Sequence, residues 1–134
     1  MQHKQFTSLW MVITLLMGTV LLSNHAMAQS KKQMVRLAKI KVDPQQLEKY
    51  NPALKEQMAT AIRLEPGVLT YYAVADQKEP SHITILEIYA DTTAYQKHIL
   101  TSHFKKYKDT VKDMVQSLEL VDVNLIAAAK QPEF

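Results

Sequence analysis

The sequence predicts one small α+β domain behind a cleavable export signal. The chain has 134 residues, and about 100–150 residues is the usual size of a single domain. Its apolar share of 47% and charged share of 22% are those of a globular protein. Beyond residue 28, strand-like and helix-like patterns follow one another in the order βαββαβ.

Residues 1–28 have the pattern of a signal peptide. Lys4 supplies the basic start, Leu9–Leu22 the apolar segment, and Ala26-Met27-Ala28 the small-x-small cleavage site. The alternative, an uncleaved membrane anchor, would need roughly 20 apolar residues to cross the bilayer, and this segment is shorter. We therefore expect cleavage before Gln29 and a periplasmic or secreted bacterial protein without a membrane anchor.

The charge of the mature chain is nearly balanced. Lys4 is the only Lys or Arg of the signal, so the basic count falls from 16 to 15 against 13 acids, a net charge of +2. Because the lysines are mixed with acids rather than gathered in a stripe, we expect no nucleic-acid partner. The chain has no cysteine, which excludes disulfides, thiolate nucleophiles and zinc-thiolate sites.

The first half of the mature chain predicts a strand followed by a helix. Met34–Val42 alternates apolar with charged residues, as a strand does. Asp43-Pro44 is an N-cap and first-turn pair, so a helix should begin there and continue toward Leu64. Because proline lacks the amide donor, we expect a kink or a restart at Asn51-Pro52. The apolar face of this helix would consist of Leu47, Tyr50, Leu54, Met58, Ala61 and Ile62.

The second half predicts a hairpin, two helices and a last strand. Val68–Ala75 and His82–Tyr89 are rich in β-branched and aromatic residues and are separated by a polar turn. Asp91 should cap a short helix, and Thr101-Ser102 should break it before a longer one. Leu120–Ala128 reads as the final strand. The longer helix would present Phe104, Tyr107, Val111, Met114 and Leu118 on one face.

This order of elements is the ferredoxin-like arrangement, an antiparallel sheet with helices on one face. We expect a polar leader at residues 29–33, the domain at 34–128 and a polar tail at 129–134. The other face of the sheet would be uncovered and partly apolar, which favours a two-fold dimer. Its residues on the third strand are His82, Thr84, Leu86 and Ile88.

Several short motifs resemble the antibiotic-biosynthesis-monooxygenase domain. They are Glu65–Tyr71 (EPGVLTY), Ile85–Tyr89 (ILEIY), Asp91 with Ala94, and His98 followed by Ser102-His103-Phe104. The resemblance spans about residues 34–123 and implies a homodimer of ferredoxin-like subunits, a dimeric α/β barrel, with a pocket between each sheet and its helices. The family includes quinol monooxygenases, haem-degrading enzymes, a signal-processing enzyme and proteins without known activity.

Glu87 is the first candidate for acid-base chemistry. Strand alternation places it on one face with Ile83, Ile85 and Tyr89. An unpaired carboxylate among apolar neighbours has a raised pKa, which suits a general base or acid near neutral pH. The alternative is a structural carboxylate that binds backbone amides or a lysine.

His98 and His103 are the second and third candidates. Five residues apart, they would point roughly 140° from each other on one continuous helix. A break at Thr101-Ser102 would let both face inward, where each could hold a substrate oxygen or carry a proton. The alternative for each is a capping or half-buried histidine. We expect no metal, because helical ligand pairs favour a spacing of four.

The aromatic residues add candidates for substrate binding, although aromatics are also ordinary core material. The set that could line a pocket for a flat molecule such as a quinol is Tyr71, Tyr72, Tyr89, Tyr95 and Phe104, and Tyr72 and Tyr89 are the preferred pocket residues. The resemblance implies a monooxygenase that oxidises a quinol or phenol with oxygen. No cofactor is expected, because the mature chain has one glycine and thus no glycine-rich phosphate loop. The alternatives are a non-catalytic small-molecule-binding or stress-response dimer and an isomerase or hydrolase of the same fold.

Overall fold

The computed structural model describes residues 32–131, which form a four-stranded antiparallel sheet packed against helices. The signal peptide, most of the leader and the last three residues lie outside the described residues, so the predicted cleavage stays a prediction. The elements are β1 (Met34–Val42), a 3-10 turn (Pro44–Gln46), α1 (Leu47–Leu64), β2 (Val68–Ala75), β3 (His82–Tyr89), α2 (Thr92–His98), α3 (Ser102–Val111) and β4 (Val115–Val123). The strand order β2-β3-β1-β4 confirms the predicted ferredoxin-like arrangement.

Alternation along β1 and β3 builds the inner face of the sheet. Arg36 pairs with Glu87, Ala38 with Ile85 and Ile40 with Ile83, so these side chains point to the same side. The apolar members of this face are buried against Tyr50 and Leu54 of α1 and Val111 of α3. The inner face is therefore apolar at one end and carries Arg36 and Glu87 at the other.

A β-bulge in β2 reverses which side chains face inward. Val68 lies opposite Tyr89 and Thr70 lies opposite Ile88, so two residues of β2 span one step of β3. Beyond the bulge, Tyr71 pairs with Glu87 on the inner face. Without the bulge, the parity of Val68 would have placed Tyr72 there instead.

The predicted restart of the first helix and one residue of its predicted buried face are wrong. The chain does not restart at Asn51-Pro52, because α1 is continuous from Leu47 to Leu64 with Pro52 inside it. The change of helix type falls earlier, at Gln46, where the 3-10 turn capped by the Asp43 side chain passes into α1. Ile62 is also 48% exposed, so it does not belong to the buried face of α1.

The last strand begins five residues earlier than predicted. The third helix ends at Val111, so Met114 lies in a turn and Leu118 lies in β4. Val111, Met114 and Leu118 have helical spacing, which made the sequence ambiguous. Pairing with β1 places Leu118 in a strand, because β4 pairs with β1 from Val35 to Val42. Residues 124–131 have no regular secondary structure.

The predicted caps of the two short helices are confirmed. The Asp91 side chain accepts a hydrogen bond from Ala94 N at 2.8 Å and begins α2. The Thr101 hydroxyl accepts one from Phe104 N at 3.3 Å and begins α3. Each cap satisfies an amide that the helix itself leaves without a partner. Within residues 32–131, no helix is long and apolar enough to cross a membrane.

Candidate functional site

A pocket of about 310 Å³ lies between the inner face of the sheet and the helices. We call it the sheet–helix pocket. The remainder of its wall is aliphatic and aromatic, and its polar lining residues are Arg36, Gln57, Tyr71, Glu87, Tyr89, Tyr95, His98, Tyr107 and Lys108. Leu118 and Leu120 of β4 also line it yet are 44% and 48% exposed, so the pocket is open to solvent on the β4 side.

Glu87 lies in this pocket with two polar neighbours. Tyr89 donates its hydroxyl proton to Glu87 Oε2 at 3.0 Å, and Arg36 is the register partner of Glu87 on β1. Burial raises the pKa of Glu87, while the Tyr89 hydrogen bond and the charge of Arg36 counteract part of that rise. The upward direction of the shift agrees with the sequence argument that Glu87 can serve as a general base or acid.

A continuous row of hydrogen bonds leads away from Glu87. We call Glu87, Tyr89, Tyr71 and His98 the hydrogen-bonded row. The hydroxyl oxygens of Tyr89 and Tyr71 are 2.6 Å apart, and the Tyr71 hydroxyl is 2.9 Å from His98 Nε2. Burial raises the pKa of both tyrosines, so their hydroxyls stay protonated and available for hydrogen bonding.

His98 joins this row to a second polar group behind the pocket. It is 1% exposed, and its Nδ1 atom lies 2.9 Å from Glu65 Oε1 at the end of α1. Burial lowers the pKa of His98, and the neighbouring Glu65 carboxylate opposes part of that shift. The imidazole is therefore held in place at both nitrogens by specific partners.

His103 is part of the same group. Its Nδ1 atom donates to Gln57 Oε1 at 2.8 Å, and its Nε2 atom lies 2.9 Å from Glu65 Oε1. That second contact is an ion-pair distance without hydrogen-bond geometry, so His103 Nε2 has no hydrogen-bond partner among the described residues. The break between α2 and α3 brings the two imidazole rings to 6.1 Å, as the sequence argument expected.

Arg36 lines the pocket and lies directly opposite Glu87 in the pairing of β1 with β3. Its Nε atom donates to Asp122 on β4 at 2.7 Å, and its guanidinium lies 4.4 Å from the centre of the Tyr95 ring. The hydrogen bond to Asp122 raises the pKa of Arg36. Because the Asp122 side chain is 68% exposed, this bridge orients Arg36 more than it stabilises the fold.

Most of the sequence-predicted site residues meet in this region. Glu87, His98, Tyr89, Tyr95 and Phe104 line the pocket, and His103 lies behind it against Gln57 and Glu65. Tyr72 does not line the pocket, which corrects the sequence expectation. It is 59% exposed on the opposite face of the sheet, because the β2 bulge gives the inward position to Tyr71.

Three residues of the site, Arg36, Gln57 and Glu65, were given no role from the sequence, and Tyr71 was named in the aromatic set but passed over in favour of Tyr72. Arg36 alternates with Ala38 and Ile40 and so points to the buried side of β1. A charged residue at such a position could have indicated from the sequence that Arg36 belongs to a site. Gln57 has the spacing of the buried face of α1 and is itself 5% exposed. Nothing in the local sequence indicates the bulge that turns Tyr71 inward.

Within residues 32–131, no group of three His, Cys, Asp or Glu side chains could hold a metal ion. The carboxylate of Glu65 lies directly against both imidazoles. The geometry is thus that of an ionisable pocket, in which a carboxyl group, two phenols and an imidazole can exchange hydrogen-bond partners.

Comparison with known proteins agrees with this fold. The family model described as antibiotic biosynthesis monooxygenase matches residues 34–110. A solved structure from Bacteriodes thetaiotaomicron that bears this family name is 53% identical, has a TM-score of 0.72, and covers 76% of this chain and 97% of its own. No curated protein matches the chain at a significant level.

Two further structures are more distant. One from Lactobacillus acidophilus, named as a monooxygenase, is 30% identical with a TM-score of 0.65 over 68% of this chain and 45% of its own. One from Nitrosomonas europaea, also named for the family, is 21% identical with a TM-score of 0.67 over 72% of this chain and 92% of its own. At 21% identity, the likeness to the Nitrosomonas europaea structure concerns the fold alone.

Proposed function

The chain belongs to the antibiotic biosynthesis monooxygenase family, and from this premise we propose that it oxidises a small quinol or phenol with molecular oxygen. The observation that carries the proposal is the position of Glu87. Its carboxyl group has a raised pKa and lines an aromatic pocket beside Arg36. A base that removes a hydroxyl proton and a cation that stabilises the resulting oxyanion are the two groups that such a reaction needs first.

The proposed reaction begins with proton transfer from the substrate hydroxyl to Glu87. The phenolate that forms is electron-rich and is held near Arg36, whose charge lowers the energy of the anion. The phenolate then reduces oxygen directly. One quinol and one O₂ give one hydroxylated quinone and one water, so the substrate supplies all the electrons. The reaction therefore needs no cofactor.

The shape of the pocket supports a small aromatic substrate. Its volume of about 310 Å³ is at the lower end of the ~300–1,000 Å³ that ligand pockets cover, which suits a molecule of one or two rings. Tyr95 and Phe104 offer aromatic surfaces for such rings. The opening beside Leu118 and Leu120 provides a path for the substrate.

Oxygen consumption with a panel of reduced quinols and phenols tests the proposal. Glu87→Gln keeps the shape of the side chain and removes its ionisable group, so turnover should fall ~10²–10⁴-fold. The matched control is Glu119→Gln, the same substitution at a side chain that is 65% exposed and bound to Lys39 outside the pocket. This control should keep the wild-type rate.

Two results would contradict the proposal. Equal oxygen uptake by wild type and Glu87→Gln would remove Glu87 from the reaction. No uptake by the wild type over the whole panel, with a rise in melting temperature on adding a quinol, would instead favour the non-catalytic binding protein.

A further inference from the structure

The hydrogen-bonded row has four members joined by three contacts, and the number of contacts limits where protons can lie. The contacts join Glu87 to Tyr89, Tyr89 to Tyr71, and Tyr71 to His98, at 3.0, 2.6 and 2.9 Å. Each contact needs one proton, because a hydrogen bond has one donor and one acceptor. Each tyrosine hydroxyl carries a single proton and accepts from its other neighbour. The complete row thus holds three protons.

Only two arrangements satisfy all three contacts. In the first, Glu87 is ionised and accepts from Tyr89, Tyr89 accepts from Tyr71, and His98 Nε2 carries a proton that it donates to Tyr71. In the second, every donor and acceptor is reversed, so Glu87 carries the proton and Nε2 is bare. The two arrangements contain the same number of protons. They differ by the transfer of one proton between Glu87 and His98.

We propose that Glu87 and His98 Nε2 share one proton through the hydroxyls of Tyr89 and Tyr71, so that the row is a proton relay between the pocket and the buried imidazole. Neither tyrosine ionises in the transfer, because each hydroxyl gives one proton and receives another. With a proton at both ends, two donors would face each other at one contact. Glu87 and His98 Nε2 therefore exclude each other's protonation.

The surroundings of both ends support such an exchange. Arg36 on β1 and Tyr107 on α3 face the Glu87 end, and Tyr95 on α2 lies beside Arg36. Glu65 at the end of α1 and His103 on α3 face the His98 end. Burial raises the pKa of Glu87 and lowers the pKa of His98, which brings the proton affinities of the two ends closer together.

The Glu65 carboxylate allows His98, at the far end of the relay, to accept a proton. When Nε2 receives the proton, the imidazole becomes a cation unless Nδ1 releases its own proton, and Glu65 Oε1 lies 2.9 Å from Nδ1. Glu65 can thus stabilise the cation by its charge or accept the Nδ1 proton. The second carboxylate is what makes His98 a proton acceptor rather than a plain structural histidine.

The use of the relay in turnover rests on the proposed function, whereas the sharing itself does not. When Glu87 and His98 Nε2 both lack a proton, the row holds only the two tyrosine protons, and a proton that Glu87 takes from a substrate hydroxyl supplies the third. This proton would pass to Tyr89 as Tyr89 gives its own to Tyr71 and Tyr71 gives its own to His98. Glu87 is then ionised again. The proton is held on His98, which is 1% exposed and lies away from the solvent at the pocket mouth. The base thus regains its charge without contact with bulk water.

A nuclear magnetic resonance titration of the resting protein tests the sharing without any turnover. The readouts are the side-chain carboxyl ¹³C signal of Glu87 and the imidazole ¹⁵N signals of His98. In the wild type both sets should change at a common midpoint, because strongly coupled groups titrate as a pair. In Tyr89→Phe and in Tyr71→Phe, which cut the row, the midpoints should separate by about one pH unit or more.

The control is Tyr50→Phe. Tyr50 forms the other buried tyrosine pair of the described residues, with its hydroxyl 2.8 Å from that of Tyr107, and it is not part of the row. This variant should keep the common midpoint. Tyr89→Phe removes a hydrogen bond from Glu87 and Tyr71→Phe removes one from His98, so each variant also shifts the midpoint of one end directly. The relay is therefore read from both variants together, because a direct effect moves a different end in each, whereas a broken relay uncouples the two ends in both.

The proposal is overturned if the wild-type His98 signals do not respond when Glu87 titrates, or if Tyr89→Phe retains the common midpoint. The wild-type titration decides the matter even if a variant does not fold. A wild type that shows the common midpoint but consumes no oxygen would keep the relay and reject the monooxygenase. Oxygen uptake with separate midpoints would do the reverse.

Discussion

His98 is the residue on which the polar interior of this protein depends. Its imidazole is 1% exposed and contacts Tyr71 on β2 and Glu65 at the end of α1. A buried polar group is stable only when its hydrogen bonds are made, so these partners are required and not incidental. The sequence singled out His98, but it did not indicate that Glu65 and Tyr71 complete its bonding.

The first prediction concerns the pH dependence of stability through His98. Burial lowers the pKa of His98 in the folded state below its ordinary value of about 6.5. Below about pH 6.5, His98 therefore binds a proton more readily in the unfolded chain than in the folded protein. The contribution of His98 to stability should therefore be present above about pH 6.5 and fall as the pH is lowered, by at most ~1.4 kcal/mol per pH unit.

Urea unfolding of wild type and His98→Gln over a pH series measures this contribution as a difference. The difference is needed because Glu87, whose pKa is raised, contributes a slope of opposite sign above its ordinary value of about 4.3. The stability advantage of wild type over the variant should shrink toward acid. An advantage that stays constant between neutral and acidic pH would refute the assignment.

At the scale of the elements, one glycine determines how closely α2 approaches the start of β2. A Cβ atom on Gly67 would lie 2.6 Å from Ala94 Cβ, which is closer than two such atoms can come. Gly67 O also accepts a hydrogen bond from Ala90 N at 2.9 Å, just before α2. This close approach places α2, and with it His98 at its end, over the inner face of the sheet.

The second prediction is that Gly67→Ala destabilises the fold by about 1–3 kcal/mol, because the added methyl group overpacks the contact with Ala94. Ala94→Gly alone should cost up to ~1 kcal/mol, since glycine is a poor helix former. Thermal or urea unfolding of both single variants and the double variant forms a double-mutant cycle. The double variant should lose less stability than the two single losses together, and simple additivity would contradict the packing argument.

On the scale of the whole molecule, the sheet presents an apolar surface on the face opposite the helices. Tyr72 and Val74 of β2 are 59% and 63% exposed there, whereas Ile88 of β3 is 8% exposed. Exposed apolar side chains that cluster on one face mark an association surface. We propose that a second copy of the chain covers this face in a two-fold dimer.

The third prediction tests that dimer by sedimentation. Val74→Lys introduces a charge at an exposed position near the end of β2 and should convert a dimer into a monomer at micromolar concentration. The control is Ile62→Lys on α1, an apolar residue that is 48% exposed and belongs to a helix on the other side of the sheet. It should leave the dimer intact. A monomeric wild type would contradict the proposed assembly.

The fourth prediction concerns export and falls on residues outside the described part of the chain. Ala26-Met27-Ala28 should be recognised by signal peptidase, so that the mature protein begins at Gln29. Mass spectrometry of a periplasmic fraction measures the N-terminus directly. Recovery of the full-length chain from the inner membrane would instead favour an uncleaved anchor.

Local sequence alone determined β1, β2, β3 and the two capped helices of this protein. Alternation over Met34–Val42 and the caps at Asp91 and Thr101 act within a few residues of the chain, so their physical causes are visible in its order. The inward position of Glu87 follows from the same alternation. These features need no partner elsewhere in the molecule.

Tertiary structure decided the rest, because the competing local options were nearly equal. The start of β4 depends on pairing with β1, and the inward turn of Tyr71 depends on the bulge opposite β3. The meeting of Glu65 with His98, 33 residues apart, requires the end of α1 and the end of α2 to pack together. Such contacts arise from the burial of whole faces, which no local pattern encodes.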